Sequence, residues 1–475
     1  MKCRINNLLL LSCAIFLCAL FAGVSELHAQ TPGALFTVND AGDTFDAVPG
    51  DGICADAADR CTLRAAIGES NTTIERDAII FNLPHPSTIN LTLGEIVVSR
   101  SIDIAGPGAR RLTIQRSTAL GTANFRVFNF GGGQNVSTIR GVSIRNGRDT
   151  SGGGLLVGAT HVVELTDCSL IGNHATSNGG AVAVTGFRLV LLRVLVASNT
   201  ADVNGGGIHI INNASSSINI TNTTFTANSA ANGGAIYNEG ALVLINDTIS
   251  QNSAPTSSSI HQASGSITVL NTIIGRDLGQ TGTALSGQFT SAGNNIVTDA
   301  RNSTGFVHDV NADQVSDNNA IDPLLGPLAD NSGQTDTLAV LANSPAINKA
   351  NPCVINLNCP QLPGVFIRGR TDQRRINRNT LFGNGVEIGA FEQGQPPPFG
   401  TRVTTFGIIL NNPPVARFAN SPVILTNIRT LEKRYTRINL IGRATFTQVP
   451  IDEDYVVEIK AKRAGVFTPT VLSFD

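Results

Sequence analysis

The chain has 475 residues, including 48 glycines, 20 prolines, 21 phenylalanines and no tryptophan. This length is enough for two or three domains with buried cores. Charged residues make up only 14% of the chain, and the formal net charge is −2. We therefore expect no nucleic acid partner, because the sequence lacks the basic clusters that such binding needs.

The first residues are typical of an export signal. Two basic residues precede an apolar run from Leu8 to Val24, and Ala29 supplies the small residue at which such signals are cleaved. We predict a signal peptide over residues 1–29, a secreted or bacterial cell-surface location, and no transmembrane segment after cleavage. The alternative is a lipoprotein signal at Cys13, which we disfavour because the apolar run continues past that cysteine.

A repeated pattern occupies residues 140 to 275. Each copy has an apolar segment that ends in asparagine, followed by a turn rich in glycine or serine. The repeated asparagines are Asn173, Asn199, Asn228 and Asn252, at spacings of 26, 29 and 24 residues. A period in this range indicates a solenoid, in which each unit buries its apolar face only by stacking on its neighbours.

The segments between the turns favour strands over helices. Ser217–Thr221 and Ala241–Ile245 are short, alternate in polarity and are rich in β-branched or aliphatic residues. We predict an all-β fold, a parallel β-helix over residues 76–310 with about 8 to 10 coils. The glycine pairs would form its corners, and the four repeated asparagines would stack into an amide ladder.

Both ends of a solenoid expose unpaired strand edges and need covering. Residues 30–75 are predicted to form an N-terminal cap, in which Thr62 begins a short helix that covers the open core. Residues 311–394 are predicted to close the other end. A proline-rich linker at 395–399 then leads to residues 400–475, whose alternating pattern predicts a small β-sandwich.

The cysteines form two close pairs. Cys54 lies near Cys61 and Cys353 lies near Cys359, whereas Cys168 is alone. We predict disulfides within the two pairs, in an oxidising compartment. The alternative is a metal site, but neither pair has C-x-x-C spacing or a histidine cluster beside it.

The front of the chain and its repeats resemble secreted bacterial proteins. Pro49–Cys54 followed by Cys61–Ile67 is similar to the CSLREAI domain found at the head of extracellular β-helix proteins, with Thr62 and Ala65 as departures. The Gly-Gly-Ala-Ile and Phe-x-x-Asn elements of the repeats resemble polymorphic outer-membrane protein repeats. The resemblance implies a right-handed parallel β-helix of the pectin-lyase-like kind, and parallel crossovers in general favour this hand.

The rear of the chain also resembles segments of such proteins. Asp322–Leu328, Asn343–Ile347 and Glu387–Glu392 are similar to the choice-of-anchor closing region. Gly442–Phe446 and Tyr455–Ile459 resemble a carboxypeptidase-regulatory-like sandwich. None of these families implies an established reaction.

An enzyme on a β-helix would need clustered carboxylates, either as Ca²⁺ ligands or as an acid–base pair. The acidic residues of the repeat region are scattered through its period. They are Asp149, Glu164, Asp167, Asp202, Glu239 and Asp247. We therefore predict no catalytic, cofactor-binding or metal-ligating residues in this chain.

Three polar sets have both a structural and a functional interpretation. Six residues before each ladder asparagine lies a column of Asp167, Arg193, Asn222 and Asn246. We interpret this column as a ladder on the outer face, with its first two members weakly paired; the alternative is a ligand-facing stripe.

The solenoid histidines are His161, His174, His209 and His261. Their register positions look unrelated, which disfavours a shared metal site. The cap loop contains Asp46, Asp51, Asp56 and Asp59. We favour a solvated acidic loop there, and the alternative is a Ca²⁺ site.

We predict a structural or adhesion-type protein that contacts a glycan or a surface protein through its solenoid faces, without catalysis. The alternative is a polysaccharide lyase or glycoside hydrolase. Sugar stacking has little support from composition, because Tyr237 is the only tyrosine of the repeat region.

Overall fold

The computed structural model describes residues 33–211, 217–275, 282–318, 320–378, 385–393, 403–409, 420–439, 443–450, 453–460 and 470–473. The predicted signal peptide at 1–29 and the proline-rich linker at 395–399 lie outside the described residues.

The chain winds into a parallel β-helix, which confirms the predicted solenoid. Each full coil contributes a strand to three long sheets of ten, ten and nine strands, and a fourth sheet of three strands lies between sheets 2 and 3. Sheet 1 consists of Leu35–Val38, Asp77–Phe81, Ile102–Ala105, Val136–Arg140, Val162–Thr166, Arg188–Leu192, Ser217–Thr221, Ala241–Ile245, Ser266–Leu270 and Thr290–Gly293. Sheet 2 consists of Ser87–Leu91, Leu112–Arg116, Ser143–Arg145, Ser169–Ile171, Leu195–Ala197, Thr224–Thr226, Thr248–Ile249, Ile273–Ile274, Ile296–Val297 and Gln314–Val315. Sheet 3 consists of Ile96–Val98, Phe128–Phe130, Leu155–Val157, Val182–Val184, Ile208–Ile210, Ile236–Asn238, Ser257–Gln262, Thr283–Gln288 and Ser303–Thr304. Sheet 4 consists of Arg148–Ser151, His174–Asn178 and Thr200–Ala201.

Alternation within each strand builds the core. In sheet 1, Leu165, Leu191 and Ile220 stand directly above one another and are fully buried. Neighbouring residues such as Glu164 point to the outer face. Stacking like residues on like at about 4.8 Å per coil gives continuous aliphatic columns, and burying each such side chain contributes about 1.5–3 kcal/mol.

In the central coils, three corners place a residue in the left-handed region, with φ between 53° and 67°. The corner between sheets 1 and 2 uses Asp167, Arg193, Asn222, Asn246 and Asn271. The residue before each ladder asparagine and the first glycine of each Gly-Gly pair form the other two columns. The second glycine serves close approach: a Cβ on Gly206 would lie 2.4 Å from the carbonyl oxygen of Gly234.

The N-terminal cap is continuous with the solenoid. Leu35–Val38 pairs in parallel with Asp77–Phe81 and so provides the first strand of sheet 1. The helix Leu63–Ser70 begins at Thr62, whose side chain accepts a hydrogen bond from the amide of Ala65, as predicted. Its apolar residues join the solenoid core. The open end of the core is therefore covered by a helix of the same chain.

A buried ion pair fastens this helix to the first coil. Arg64 donates to Asp43 at 2.5 Å and to the carbonyl oxygen of Gly94 at 2.7 Å. The second oxygen of Asp43 accepts the amides of Thr92 and Leu93 at 2.6 and 2.8 Å. Among the described residues, no buried polar atom of Arg64 or Asp43 lacks a hydrogen-bond partner.

Of the segment 311–394 that was predicted to close the solenoid, residues 311–318 belong to the last coil, where Gln314–Val315 is the last strand of sheet 2. The rest, residues 320–378 and 385–393, is called the closing region from here on and lies along the side of the solenoid, over the corner between sheets 1 and 2. It contains one antiparallel pair, Leu325–Ala329 with Thr337–Val340, and a 3₁₀ turn at Pro352–Val354. Its apolar residues form a second core with outward-facing solenoid residues, among them Ile245, Leu270 and Ile273. Those three aliphatic side chains are buried by the closing region and not by the coil interior.

The C-terminal part forms two antiparallel sheets. Val403–Ile409 pairs with Arg443–Pro450, and a second sheet has the order Lys433–Arg437, Pro422–Asn427, Asp454–Ile459, Thr470–Ser473. Side chains of both sheets share one buried cluster, which includes Leu425, Phe446 and Tyr455. A smaller cluster joins Ile428 and Val456 to Ile80 and Ala105 of sheet 1.

Candidate functional site

The four repeated asparagines lie in one buried column at the turn after sheet 2. The Oδ1 of Asn199 accepts both the backbone amide and the Nδ2 of Asn173, each at 3.0 Å. Asn228 does the same for Asn199, and Asn252 for Asn228. Each Nδ2 also donates to a carbonyl oxygen of the coil before it, for example Leu170. This column satisfies backbone groups and offers no open donor to a ligand.

The column of Asp167, Arg193, Asn222 and Asn246 is buried, which corrects the predicted exposed ladder. Each of its members is at most 1% exposed. Arg193 donates to Asp167 through two nitrogens, at 2.9 and 3.1 Å, so the predicted weak pairing is also wrong. The closing region covers this corner. The sequence pattern did not reveal this, because the closing region lies more than 70 residues after the last of these corner residues.

A second arginine reaches the same carboxylate from the closing region. Arg375 donates to Asp167 at 2.7 Å and to Asp454 of the C-terminal sheets at 3.0 Å. Burial by itself would raise the pKa of Asp167, but Arg193 and Arg375 outweigh it and hold that pKa below its ordinary value. This charged cluster joins the solenoid, the closing region and the C-terminal sheets.

A cavity of about 330 Å³ lies beside this cluster, between the outer face of sheet 1 and the closing region. Its lining comprises Arg140, Glu164, Thr166, Leu192, Arg193, Leu357, Phe366, Ile367, Arg368, Gly369, Arg370 and Thr371. Four of these residues are arginines and one is a glutamate. Sequence reasoning missed this site, because its two walls come from segments about 200 residues apart.

The arginines of this cavity differ in their partners. Arg368 forms an ion pair with Glu164, and its guanidinium lies 5.4 Å from the ring centre of Phe366. Arg193 is paired with Asp167. Arg140 is only 9% exposed, and its Nε has no hydrogen-bond partner among the described residues. The cavity therefore combines a buried cationic group, a carboxylate and an aromatic wall.

Two of the four solenoid histidines share a register position, contrary to the sequence-based expectation. His209 and His261 flank Tyr237 on the outer face of sheet 3. The ring centres are 5.3 Å apart for His209 and Tyr237, and 4.9 Å apart for Tyr237 and His261. We call these three rings the aromatic column.

The two flanking rings of the aromatic column are not equivalent. Burial lowers the pKa of His209 to about 4, so this ring is neutral at pH 7. The Nε2 of His209 lies 3.6 Å from the Oε2 of Glu239. Because the ring is neutral, this is a polar contact and not an ion pair. Burial also lowers the pKa of His261. The column thus presents neutral, flat rings to its surroundings.

The remaining histidines lie elsewhere. His161 contacts Ser137 and Phe130 in the interior. His174 lies in sheet 4, and its Nε2 is 3.1 Å from the Oδ1 of Asp202, which follows the last strand of that sheet. Within the described ranges, no three histidine, cysteine, aspartate or glutamate side chains are grouped closely enough to hold a metal ion.

The cap aspartates bind backbone amides and an arginine. Asp46 accepts the amides of Val48 and Ala55, and Asp51 accepts that of Ile53. Asp56 accepts Arg60 through two nitrogens, at 3.0 and 2.7 Å. Asp59 lies in a turn with φ of 58°. These contacts order the cap loop.

The cysteine pairs are close enough to be bonded. Cys54 and Cys61 have Cα atoms 5.1 Å apart, and Cys353 and Cys359 have theirs 4.9 Å apart. Cys168 is buried and unbonded, and burial raises the pKa of its thiol to about 12. A thiol with this pKa is inert as a nucleophile at neutral pH.

Part of the chain is similar to a known protein family. Residues 222–239 match the Chlamydia polymorphic membrane protein (Chlamydia_PMP) repeat. The matched segment runs from the corner residue Asn222 through the ladder residue Asn228 to the strand Ile236–Asn238. Searches of curated proteins and of solved structures find no match. In the described part of the chain, no helix is both long and apolar enough to span a membrane. The repeat and the solenoid together fit a β-helix of the polymorphic membrane protein kind and suggest a surface or adhesin-like protein.

Proposed function

We propose that the protein is exported and acts as an adhesin that binds a glycan or a protein through an exposed solenoid face, without catalysing a reaction. The observation that carries this proposal is the matched repeat at 222–239, set within an unbroken stack of coils. Stacked coils give a rigid, extended surface on which weak polar and aromatic contacts add together.

Sheet 3 is the face we assign to binding. The closing region and the C-terminal sheets pack on sheet 1 and its corner with sheet 2. The aromatic column stands on sheet 3, where Tyr237 and His261 are half-buried. Flat rings of this kind pack against the apolar faces of sugars or against protein side chains.

The positions of the acidic side chains support a role without catalysis. Asp167 is held by two arginines and Glu164 by Arg368. Asp247 is fully buried, accepts the amides of Thr223 and Ile245, and has a pKa raised by burial. These carboxylates have structural partners and do not face one another across an open groove, as a glycosidase pair would.

The first experiment compares cleavage with retention. Purified protein is incubated with uronate-containing and neutral polysaccharides and with host-cell surfaces, with and without Ca²⁺. We expect retention on a glycan or surface with the polymer intact. Release of shortened chains would overturn the proposal in favour of a lyase or hydrolase.

The second experiment tests the assigned face. Tyr237→Ala should weaken retention by about five-fold or more, because it removes the central ring of the aromatic column. Tyr435→Ala is the matched control, since Tyr435 is 67% exposed on the C-terminal sheets. Equal retention by both variants would move the binding surface away from sheet 3.

A further inference from the structure

We propose that the cavity between sheet 1 and the closing region binds the oxyanion of a small organic ligand, a carboxylate or a phosphate. This site is separate from the aromatic column and goes beyond the adhesive function proposed above. It is formed by a strand end of the solenoid on one side and by the segment 366–371 on the other.

The charged side chains that line the cavity carry a net positive charge. Among the lining side chains, four arginines face one glutamate. Asp167 neutralises Arg193 from beside the cavity, and Glu164 neutralises Arg368. Arg140 and Arg370 belong to no ion pair within the described part of the chain. The cavity therefore has two positive charges that a bound anion would balance.

The burial of Arg140 is the second argument. Arg140 is the last residue of the strand Val136–Arg140. Its neighbours in sheet 1 are Ala105 and Thr166, and neither of these carries a charge. Taking an ion out of water without a partner is energetically unfavourable. A guanidinium offers its N–H groups as a planar fork that suits carboxylate and phosphate oxygens. A bound oxyanion would supply the partner that the described residues do not.

The walls of the cavity are the third argument, and they indicate an organic ligand and not a bare ion. Leu192, Leu357 and Ile367 contribute apolar surface, and Phe366 contributes an aromatic ring that is 66% exposed at the edge. A volume of about 330 Å³ lies at the small end of the range for ligand pockets. The expected ligand is therefore about the size of a single sugar or a small organic acid.

The test uses three sugars that differ only at one carbon: glucuronate, glucose 6-phosphate and glucose. Binding to the full-length protein is measured by calorimetry at low ionic strength. We expect one or both anionic sugars to bind and glucose not to bind. Binding of glucuronate alone identifies a carboxylate site, and binding of glucose 6-phosphate alone identifies a phosphate site. Equal binding of all three, or of none, would overturn the proposal.

Variants locate the site. Arg140→Ala should weaken binding of the anionic sugar by about ten-fold or more, because it removes the buried charge-assisted donor. Arg140→Lys should recover part of the loss, since a lysine keeps the charge without the fork. Arg370→Ala removes the exposed arginine and serves if Arg140→Ala does not fold. Arg437→Ala, on the C-terminal sheets, is the control that should bind as the parent does. Parent-like binding by the Arg140 and Arg370 variants would contradict the assignment.

Discussion

The side-chain amide of Asn199 takes part in four buried hydrogen bonds. Its Oδ1 accepts twice from Asn173, and its Nδ2 donates to Leu170 and Asn228. All of these groups are buried, so each group left without a partner costs about 1–3 kcal/mol. A short side chain thus holds three successive coils in register.

Asn199→Ala should therefore lower the free energy of unfolding by roughly 2–5 kcal/mol. The measurement is chemical denaturation followed by circular dichroism. Asn219→Ala is the control, because Asn219 lies on the outer face of sheet 1 and is half-buried; its effect should stay within roughly 0.5 kcal/mol. Similar losses in the two variants would show that the ladder amide contributes no more than a surface amide.

Glu392 gives the closing region a pH dependence. Burial, reinforced by the neighbouring carboxyl group of Glu387, raises the pKa of Glu392 to about 10, although Arg378 lies 3.1 Å from its Oε2 and acts in the opposite direction. The folded protein therefore keeps a proton that the unfolded chain releases above its ordinary pKa. Folding stability is then fullest below about pH 4.5 for this group and falls as pH rises toward 10, by up to about 1.4 kcal/mol per unit.

Glu392→Gln should flatten this fall, because glutamine keeps the shape and carries no titrating proton. Unfolding free energies measured by urea titration between about pH 5 and pH 9 should decline less steeply in the variant than in the parent. An unchanged slope would show that the proton belongs to another group.

The sequence predicted the ladder asparagines because each follows an apolar segment at a regular spacing. It did not predict the aromatic column, because the turns between differ in length. His209 follows its ladder asparagine by ten residues, and His261 follows its own by nine. The extra residue before His209 lies in the turn between sheets 2 and 3. Strand pairing in sheet 3 therefore aligns His209 with Tyr237 and His261, although their spacing from the ladder asparagines differs by one residue.

At the scale of elements, the cap helix is the part that local sequence specified most fully. Thr62 and the apolar residues after it determine where the helix begins and which face is buried. The placement of the closing region depended on contacts with distant coils. Its backbone groups form hydrogen bonds with the side chains of Asn222, Thr248 and Asn271 over separations of 80 to 149 residues. No local sequence pattern encodes contacts at such separations.

Replacing Cys54 and Cys61 by serine should loosen the cap. The short loop they enclose is worth about 2–3 kcal/mol in the chain-entropy picture. Because coils support only their neighbours, amide exchange should rise in Asp77–Phe81 and stay unchanged in Thr224–Thr226.

The second disulfide provides the matched control for this experiment. Replacing Cys353 and Cys359 by serine should raise exchange around Pro352–Val354 and leave Asp77–Phe81 as in the parent. A uniform rise along the solenoid in the Cys54 and Cys61 variant would mean that the pair does not act locally.

At the scale of the whole molecule, two small contacts among the described residues hold the C-terminal sheets to the solenoid and the closing region. One is the apolar cluster of Ile428 and Val456 on Ile80 and Ala105, and the other is the ion pair of Asp454 with Arg375. The sequence indicated a separate β unit by its change in composition, but it carried no signal for where this unit docks.

Ile428→Asp should release the C-terminal sheets, because it places a charge against apolar side chains that are nearly inaccessible to water. Small-angle X-ray scattering should then report a larger radius of gyration, with the solenoid's circular dichroism preserved. Tyr435→Asp is the control, since it adds the same charge at an exposed position of the same sheet. An unchanged radius in the Ile428 variant would show that the ion pair alone holds the unit in place.

The closing region contacts the solenoid near both of its ends. It meets Arg110 near the front, through the carbonyl oxygen of Gly333, and it meets Asn294 and Gln314 near the rear, through the carbonyl oxygens of Lys349 and Pro345. Coils alone carry no count, since a duplicated repeat would preserve every corner and every ladder bond. The closing region contacts both ends of the solenoid, so its length suits one number of coils. If a repeat were gained or lost, the closing region would lose its contacts at one end. The contacts of the closing region are therefore compatible with one number of repeats, although this region contains no repeat itself.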